Sequence, residues 1–71
     1  MEMIPVTSSN LAAVGYDTQS FTLKVQFNNG RIYEYYNVPK DVHTGLMNAP
    51  SKGTYFYEKI QNGGYTYNEI T

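Results

Sequence analysis

The chain has 71 residues, a net charge of −1 and a pI near 5.6. A chain of this length forms one domain, whose core buries only about 60% of the unfolded surface. It contains no cysteine and one histidine, which excludes disulfides and thiolate metal sites, so we expect neither a metal nor another cofactor. The acidic balance also argues against a duplex-DNA binder, because such proteins carry a basic patch.

The N-terminal residues 1–5 contain neither a basic segment nor an apolar one, so we expect no secretion signal. No apolar run approaches the roughly 20 residues that a membrane-spanning helix needs. We therefore expect a cytoplasmic protein that makes no contact with a membrane.

Tyrosine is the most distinctive residue type, with eight copies in the chain. A tyrosine ring fills a core, while its hydroxyl also favours contact surfaces. The main functional question is therefore which rings pack inside and which contact another molecule.

Two strands are predicted before residue 28. The apolar run 11–16 is followed by polar residues 17–20, which are typical of a turn. After this turn, apolar and polar residues alternate with the period of a strand that has one buried face. The apolar members of this second strand are Phe21, Leu23, Val25 and Phe27.

The segment Asn28-Asn29-Gly30 predicts a hairpin to a further strand over 31–36. Two registers are open. If Asn29-Gly30 alone forms the loop, Val25 faces Glu34 and a carboxylate lies among core residues.

A three-residue loop with Gly30 in a left-handed bulge avoids this burial, so we favour it. It pairs Lys24 with Glu34, an opposite-charge pair across the strands. It also decides which tyrosines face the core. Tyr33 lies opposite Val25 and Tyr35 opposite Leu23 on the core side, whereas Tyr36 lies on the other side.

Two short helices are predicted next. Pro39 suits the first position of a helix, and Pro50 ends it. Between them Val42, Leu46 and Ala49 recur at helical spacing. Gly45 weakens this helix by about 1 kcal/mol relative to alanine unless a neighbour packs closely there.

Ser51 is a good N-cap for a second helix over about 52–60, in which Phe56 and Ile60 share one face. Gly53 in its first turn permits close approach to a neighbour. After Gly63-Gly64, the weak alternation of 65–70 indicates an edge strand or a segment folded over the core. The predicted fold is a single α+β domain over 1–71: a small antiparallel β-meander of three to four strands followed by a short helical hairpin.

Several motifs occur in a characteristic order: Ser8-Ser9, Val14-Gly15-Tyr16-Asp17, Leu23-x-Val25-x-Phe27-x-x-Gly30-x-x-Tyr33-x-Tyr35-x-x-Val38-Pro39, Leu46-x-x-Ala49-x-Ser51-x-Gly53-x-Tyr55-Phe56, and Ile60. Over residues 6–67 they resemble the KTSC domain family. That family is named for a segment at the C-terminus of some bacterial lysyl-tRNA synthetases, and it also occurs as free-standing small proteins of bacteria and phages. The resemblance implies the fold, and the synthetase context suggests RNA binding.

Tyr33 and Tyr35 are either a stacking platform for bases or core residues, and the favoured register supports the core. Tyr36, on the opposite face, is the better contact candidate. Tyr65 and Tyr67 follow a Gly-Gly hinge and either pack against the sheet or form a surface for self-association.

Other binding candidates are polar. Ser51, Lys52 and Gly53 would hold an anion at a helix N-terminus or act only as an N-cap, and we favour the N-cap. Arg31 and Lys24 are candidate phosphate contacts, and Tyr55 lies in the same motif as Ser51. We expect the lone His43 to be exposed, with no catalytic partner.

These observations predict a small non-enzymatic module that binds RNA or a nucleotide-like ligand through tyrosine rings and a few cations. The alternative is a protein-interaction module, such as a phage accessory protein that sequesters a host protein or a nucleotide signal. On either hypothesis, the paired C-terminal tyrosines suggest a homo-oligomer.

Overall fold

The computed structural model describes residues 1–71 and contains five strands, two α-helices and a π-helical turn. In chain order they are β1 Ile4–Pro5, β2 Leu11–Asp17, β3 Thr22–Phe27, β4 Ile32–Tyr35, α1 Lys40–Asn48, α2 Lys52–Phe56, the π-helical turn Tyr57–Gln61 and β5 Tyr67–Glu69. The strands form one antiparallel sheet in the order β1-β2-β3-β4-β5. The α+β class is therefore confirmed, with one strand more than the three to four predicted. None of the helices is both long and apolar enough to cross a bilayer.

The core lies between one face of the sheet and the helices. Its nine buried residues come from strands, helices and the β4–α1 connection: Leu11, Val14, Leu23, Val25, Tyr35, Val38, Leu46, Phe56 and Ile60. As the helical spacing predicts, Leu46, Phe56 and Ile60 all face this core. The opposite face of the sheet has no helix against it.

The β3–β4 hairpin has the three-residue register. The observed pairs are Leu23 with Tyr35, Lys24 with Glu34, and Val25 with Tyr33. Gly30 has φ 91°, a backbone conformation that glycine adopts without steric cost. The prediction of a left-handed bulge residue at this position is confirmed.

The start of β3 was predicted one residue too early. Phe21 has φ 55° and belongs to the preceding turn, and its side chain is 50% exposed. Its carbonyl accepts a hydrogen bond from the Val38 N–H at 2.9 Å. The turn therefore extends to Phe21, and its apolar side chain continues the alternation in sequence but not in space.

The helix boundaries also differ from the prediction. Pro39 has ψ 150° and precedes α1 as its N-cap, so the helix begins at Lys40. Ala49 is extended because the ring of the following Pro50 disfavours helical backbone. The second helix is not continuous, since α2 changes to a π-helical turn after Phe56.

Local features of the helical hairpin follow the sequence. Ser51 is the N-cap of α2, and its Oγ accepts a hydrogen bond from the Thr54 N–H. A Cβ on Gly45 would collide with the Tyr55 hydroxyl, and one on Gly53 would collide with Asn10. Both glycines therefore permit close approach between elements.

Strand β1 was missed by the sequence reasoning. It has two residues, one of them Pro5, and Ile4 pairs with Val14 of β2. The segment before it crosses Gly15, where an added Cβ would lie 2.8 Å from Met3 Sδ. Such a short strand has no periodicity, so only its pairing with β2 defines it.

Replacing Gly30 tests the hairpin register. Gly30→Ala should lower the free energy of unfolding by roughly 1–2 kcal/mol, because an alanine is strained in the left-handed conformation. No atom lies within 4 Å of the added Cβ, so the loss would come from the backbone alone. Gly30→Asn is the control and should lose less, since asparagine tolerates this conformation. Urea denaturation measures both; a Gly30→Ala protein as stable as the parent would contradict the assignment.

Candidate functional site

A cleft of about 520 Å³ opens between β4, β5 and the end of the π-helical turn. We call it the aromatic cleft and define it by the eight residues that line it: Phe27, Asn29, Arg31, Tyr33, Tyr35, Gln61, Asn62 and Tyr67. The hairpin register builds it, because Tyr33 and Tyr35 point to the helix side of the sheet. Strand β5 then pairs with β4 and places Tyr67 opposite Tyr35.

Five aromatic rings form a closed circuit at this cleft. The ring centroid of Tyr67 lies 5.3 Å from that of Tyr35, with the two rings stacked, and 6.0 Å from that of Tyr33. The circuit closes through edge-to-face contacts of 5.4 to 5.6 Å with Phe56 and Phe27. Such pairs contribute about 0.5–1.5 kcal/mol each beyond the area they bury. The rings therefore hold one another in place.

Tyr35 combines burial with an unused hydroxyl. The residue is only 4% exposed, and its hydroxyl has no hydrogen-bond partner within the chain, unlike those of Tyr16, Tyr33 and Tyr36. The hydroxyl is nevertheless not sealed from solvent, and Tyr35 lines the cleft. Burial raises the pKa of Tyr35 to about 12, and the neighbouring Tyr67 and Tyr33 contribute to the rise. The group therefore remains a neutral hydrogen-bond donor at physiological pH.

One ion pair lies at the rim of the cleft. Arg31 Nη1 is 3.0 Å from Glu69 Oε2, and both side chains are exposed. The Tyr33 hydroxyl donates to Glu69 Oε1 at 3.3 Å. The only cation of the cleft is thus compensated by a carboxylate, and β5 is tied to β4 by side chains as well as by backbone pairing.

The π-helical turn supplies the polar wall. It ends at Gln61, and this residue and Asn62 both line the cleft. A π-helical turn inserts an extra residue per turn and is often found at functional sites. The exposed amides of Gln61 and Asn62 present both donors and acceptors to the cleft.

Of the predicted binding residues, only Arg31 and Tyr67 lie in the aromatic cleft. Tyr36 and Lys24 lie on the opposite face of the sheet. There the Tyr36 hydroxyl donates to Glu34 at 3.1 Å and accepts from the Asn68 amide, while Lys24 is paired with Glu34 across the strands. Lys24 therefore shares a face of the sheet with Tyr36, whereas Arg31 lies at the cleft on the other side.

The candidate anion site at the start of α2 is occupied by contacts within the chain. Ser51 caps the helix, Lys52 Nζ donates to the Ala49 carbonyl at 3.3 Å, and Gly53 packs against Asn10. Tyr55 packs against Gly45 of α1. Tyr65 packs against the core and over Gly63.

His43 was predicted to be exposed, and this is wrong. Its ring stacks on Tyr16 with a centroid distance of 4.6 Å and an interplanar angle of 7°. The Tyr16 hydroxyl in turn donates to the Val38 carbonyl at 2.5 Å. This stack joins α1 to β2 outside the aromatic cleft.

Sequence reasoning also missed the polar residues of the cleft. Asn29, Gln61 and Asn62 read as ordinary turn and helix-end residues, and no spacing rule connects them. The Tyr-x-Tyr pattern at Tyr33 and Tyr35 was the one available signal, because it places two rings on one face of a strand.

An antiparallel sheet with helices on one face and a cleft lined by rings defines a small α+β domain with a preformed aromatic site. The chain belongs to the KTSC domain family, whose model matches residues 7–67. A crystal structure of a KTSC domain protein from Yersinia pestis is similar, with a TM-score of 0.90 and 35% identity, over 99% of this chain and 97% of that one.

Two sequence relatives show the family in different settings. A lysine–tRNA ligase of Nostoc sp. is 41% identical over 63 residues, which are 89% of this chain and 11% of the ligase. An uncharacterized protein of Stutzerimonas stutzeri is 34% identical over 67 residues, which are 94% of each chain. The chain thus corresponds to about a tenth of the ligase and to nearly all of the second protein.

The stacked histidine predicts a pH dependence. Burial lowers the pKa of His43, and Lys40 lowers it further. The unfolded chain therefore takes up this proton at a higher pH than the folded chain, so stability should fall as the pH drops below about 6.5.

His43→Phe tests this because it keeps a ring against Tyr16 and removes the titration. Between about pH 7.5 and about pH 5 the parent should lose more stability than the variant in urea denaturation. Equal losses would show that His43 does not titrate differently in the two states.

Proposed function

We propose that the chain is a non-enzymatic binding module that takes an unpaired nucleobase, from RNA or from a free nucleotide, into the aromatic cleft. The observation that carries the proposal is the preformed set of rings around a cleft with amides on its rim. Base–aromatic stacking contributes roughly 1–3 kcal/mol per base. The relatives named lysine–tRNA ligases act on tRNA by name, which supports an RNA ligand.

The placement of the cations favours a short ligand over a long one. Arg31 is at the cleft, Lys24 is on the opposite face of the sheet, and Lys52 is bonded to a backbone carbonyl. A track of phosphate contacts along an RNA strand needs several cations on one surface. Recognition of one or two bases needs only the cleft.

We propose that the module catalyses no reaction and that it is located in the cytoplasm. The one histidine is stacked on Tyr16 outside the cleft, so no imidazole base faces a ligand there. Nucleotides and unpaired RNA are abundant in the cytoplasm, where a chain without cysteine needs no oxidising compartment to fold.

Removing the exposed ring of the cleft tests the proposal. Tyr67→Ala should weaken binding of short single-stranded RNA by roughly 1–3 kcal/mol, measured by fluorescence anisotropy at low salt. The matched control is Tyr57→Ala, because Tyr57 is 56% exposed, close to the 55% of Tyr67, and lies outside the cleft.

The control should bind like the parent, and thermal melts should show both variants folded. Equal affinity of the two variants would rule out the aromatic cleft as the site. No binding of RNA or nucleotides by the parent would rule out the function.

The second candidate is a protein-interaction module with another copy of the chain as its partner. Strand β5 is at the edge of the sheet and pairs only with β4. Tyr67, the first residue of β5, is 55% exposed, and Ile70, directly after the strand, is 48% exposed. A free strand edge flanked by apolar side chains favours pairing with another chain.

Light scattering tests whether the chain associates with another copy of itself. At micromolar concentrations the parent should have a mass above the 8.1 kDa of one chain. Ile70→Lys should restore the monomer, because a charge on an edge opposes strand pairing. A monomeric parent at every concentration would remove the candidate.

A further inference from the structure

We infer that the aromatic cleft recognises the uncharged base of its ligand through the Tyr35 hydroxyl and leaves the phosphate outside. This inference rests on the proposed function and names the part of a nucleotide that the site binds. Three features of the cleft support it: the unpaired hydroxyl, the compensated arginine and the amide wall.

The hydroxyl is the first feature. A polar residue that is only 4% exposed normally has its side-chain polar atom bonded within the protein. The Tyr35 ring stacks with Tyr67 and makes an edge-to-face contact with Phe56. Neither contact uses the hydroxyl, which is left for a molecule in the cleft. It is neutral and protonated at physiological pH, so it suits a carbonyl or ring-nitrogen acceptor of a base.

The charge at the rim is the second feature. Glu69 Oε2 lies 3.0 Å from Arg31 Nη1, so the cleft and its rim together carry one cation and one anion. A phosphate entering this site would meet an arginine whose charge Glu69 already balances, and it would lose its hydration among aromatic rings. Burying an ion without a free counter-charge is costly, whereas burying a neutral heterocycle is not.

The amide wall is the third feature. Gln61 and Asn62 line the cleft together with the hairpin residue Asn29. The Asn29 Oδ1 accepts a hydrogen bond from the Arg31 N–H at 3.0 Å, so its NH2 group is the part left for a ligand. Side-chain amides match the donor and acceptor pattern on the edge of a base. A base stacked on Tyr67 would thus have hydrogen-bonding groups along its edge and its sugar-phosphate directed to solvent.

The first experiment removes the hydroxyl and keeps the ring. Nuclear magnetic resonance titrations with adenosine, guanosine, cytidine and uridine identify which nucleosides shift the backbone signals of the cleft. For the tightest of them, Tyr35→Phe should weaken binding roughly tenfold, because one buried hydrogen bond is lost. Tyr57→Phe, which removes an exposed hydroxyl outside the cleft, should bind like the parent.

The second experiment compares ligands with and without phosphate. The parent should bind the nucleoside within about threefold of its monophosphate, and ribose phosphate should not bind, because affinity comes from stacking and not from charge. Glu69→Gln removes the carboxylate charge that balances Arg31, so it should raise the affinity for the monophosphate relative to that for the nucleoside several-fold.

The outcomes separate the inference from the proposed function. If Tyr35→Phe binds nucleosides as well as the parent does, or if the parent binds monophosphates but not nucleosides, the inference is wrong and the binding function survives. If no nucleoside, nucleotide or single-stranded RNA shifts the signals of the cleft, both are wrong. Urea denaturation of Tyr35→Phe establishes that a weaker titration reflects the site and not unfolding.

Discussion

The register of the β3–β4 hairpin is the constraint on which both the core and the cleft depend. Side chains alternate across a strand, so a slip of one residue would move every side chain of β4 to the other face. Tyr33 and Tyr35 would then lie on the face that has no helices, and Glu34 would enter the core. The three-residue loop prevents this slip, and Gly30 makes the loop possible through its φ of 91°.

The rings that follow from this register have two roles. Tyr35 and Phe56 are core residues, while Tyr33 and Tyr67 are accessible, yet all belong to one closed circuit with Phe27. A domain of this size without disulfides gains much of its stability from such packing. The same packing orders the cleft, because a ring held by two neighbours loses little conformational freedom when a ligand stacks on it.

Features governed by local rules could be predicted from the sequence, whereas those governed by tertiary contacts could not. The hairpin register and the Ser51 N-cap follow from turn and capping chemistry within a few residues. Strand β1 exists only because β2 lies beside it, and the π-helical turn that presents Gln61 leaves no periodic pattern. Of the residues that line the cleft, only Arg31 and Tyr67 were predicted as binding residues, and Tyr33 and Tyr35 were expected in the core. The amides of the cleft could not be connected, since they come from segments about 30 residues apart in sequence. Apolar alternation misled at Phe21, where the turn required a left-handed residue.

The distribution of charge is the reason for proposing that rings, and not cations, carry the recognition. The chain has five cations; the structure pairs Arg31 with Glu69 and sets Lys24 against Glu34 on the other face of the sheet. Affinity that depends on phosphate contacts falls steeply with salt, because it derives from released counterions. Affinity that depends on stacking and a neutral hydroxyl is nearly independent of salt. The proposed module would therefore distinguish its ligand by the shape and hydrogen-bonding edge of a base, which suits a cleft whose one cation is compensated by a carboxylate.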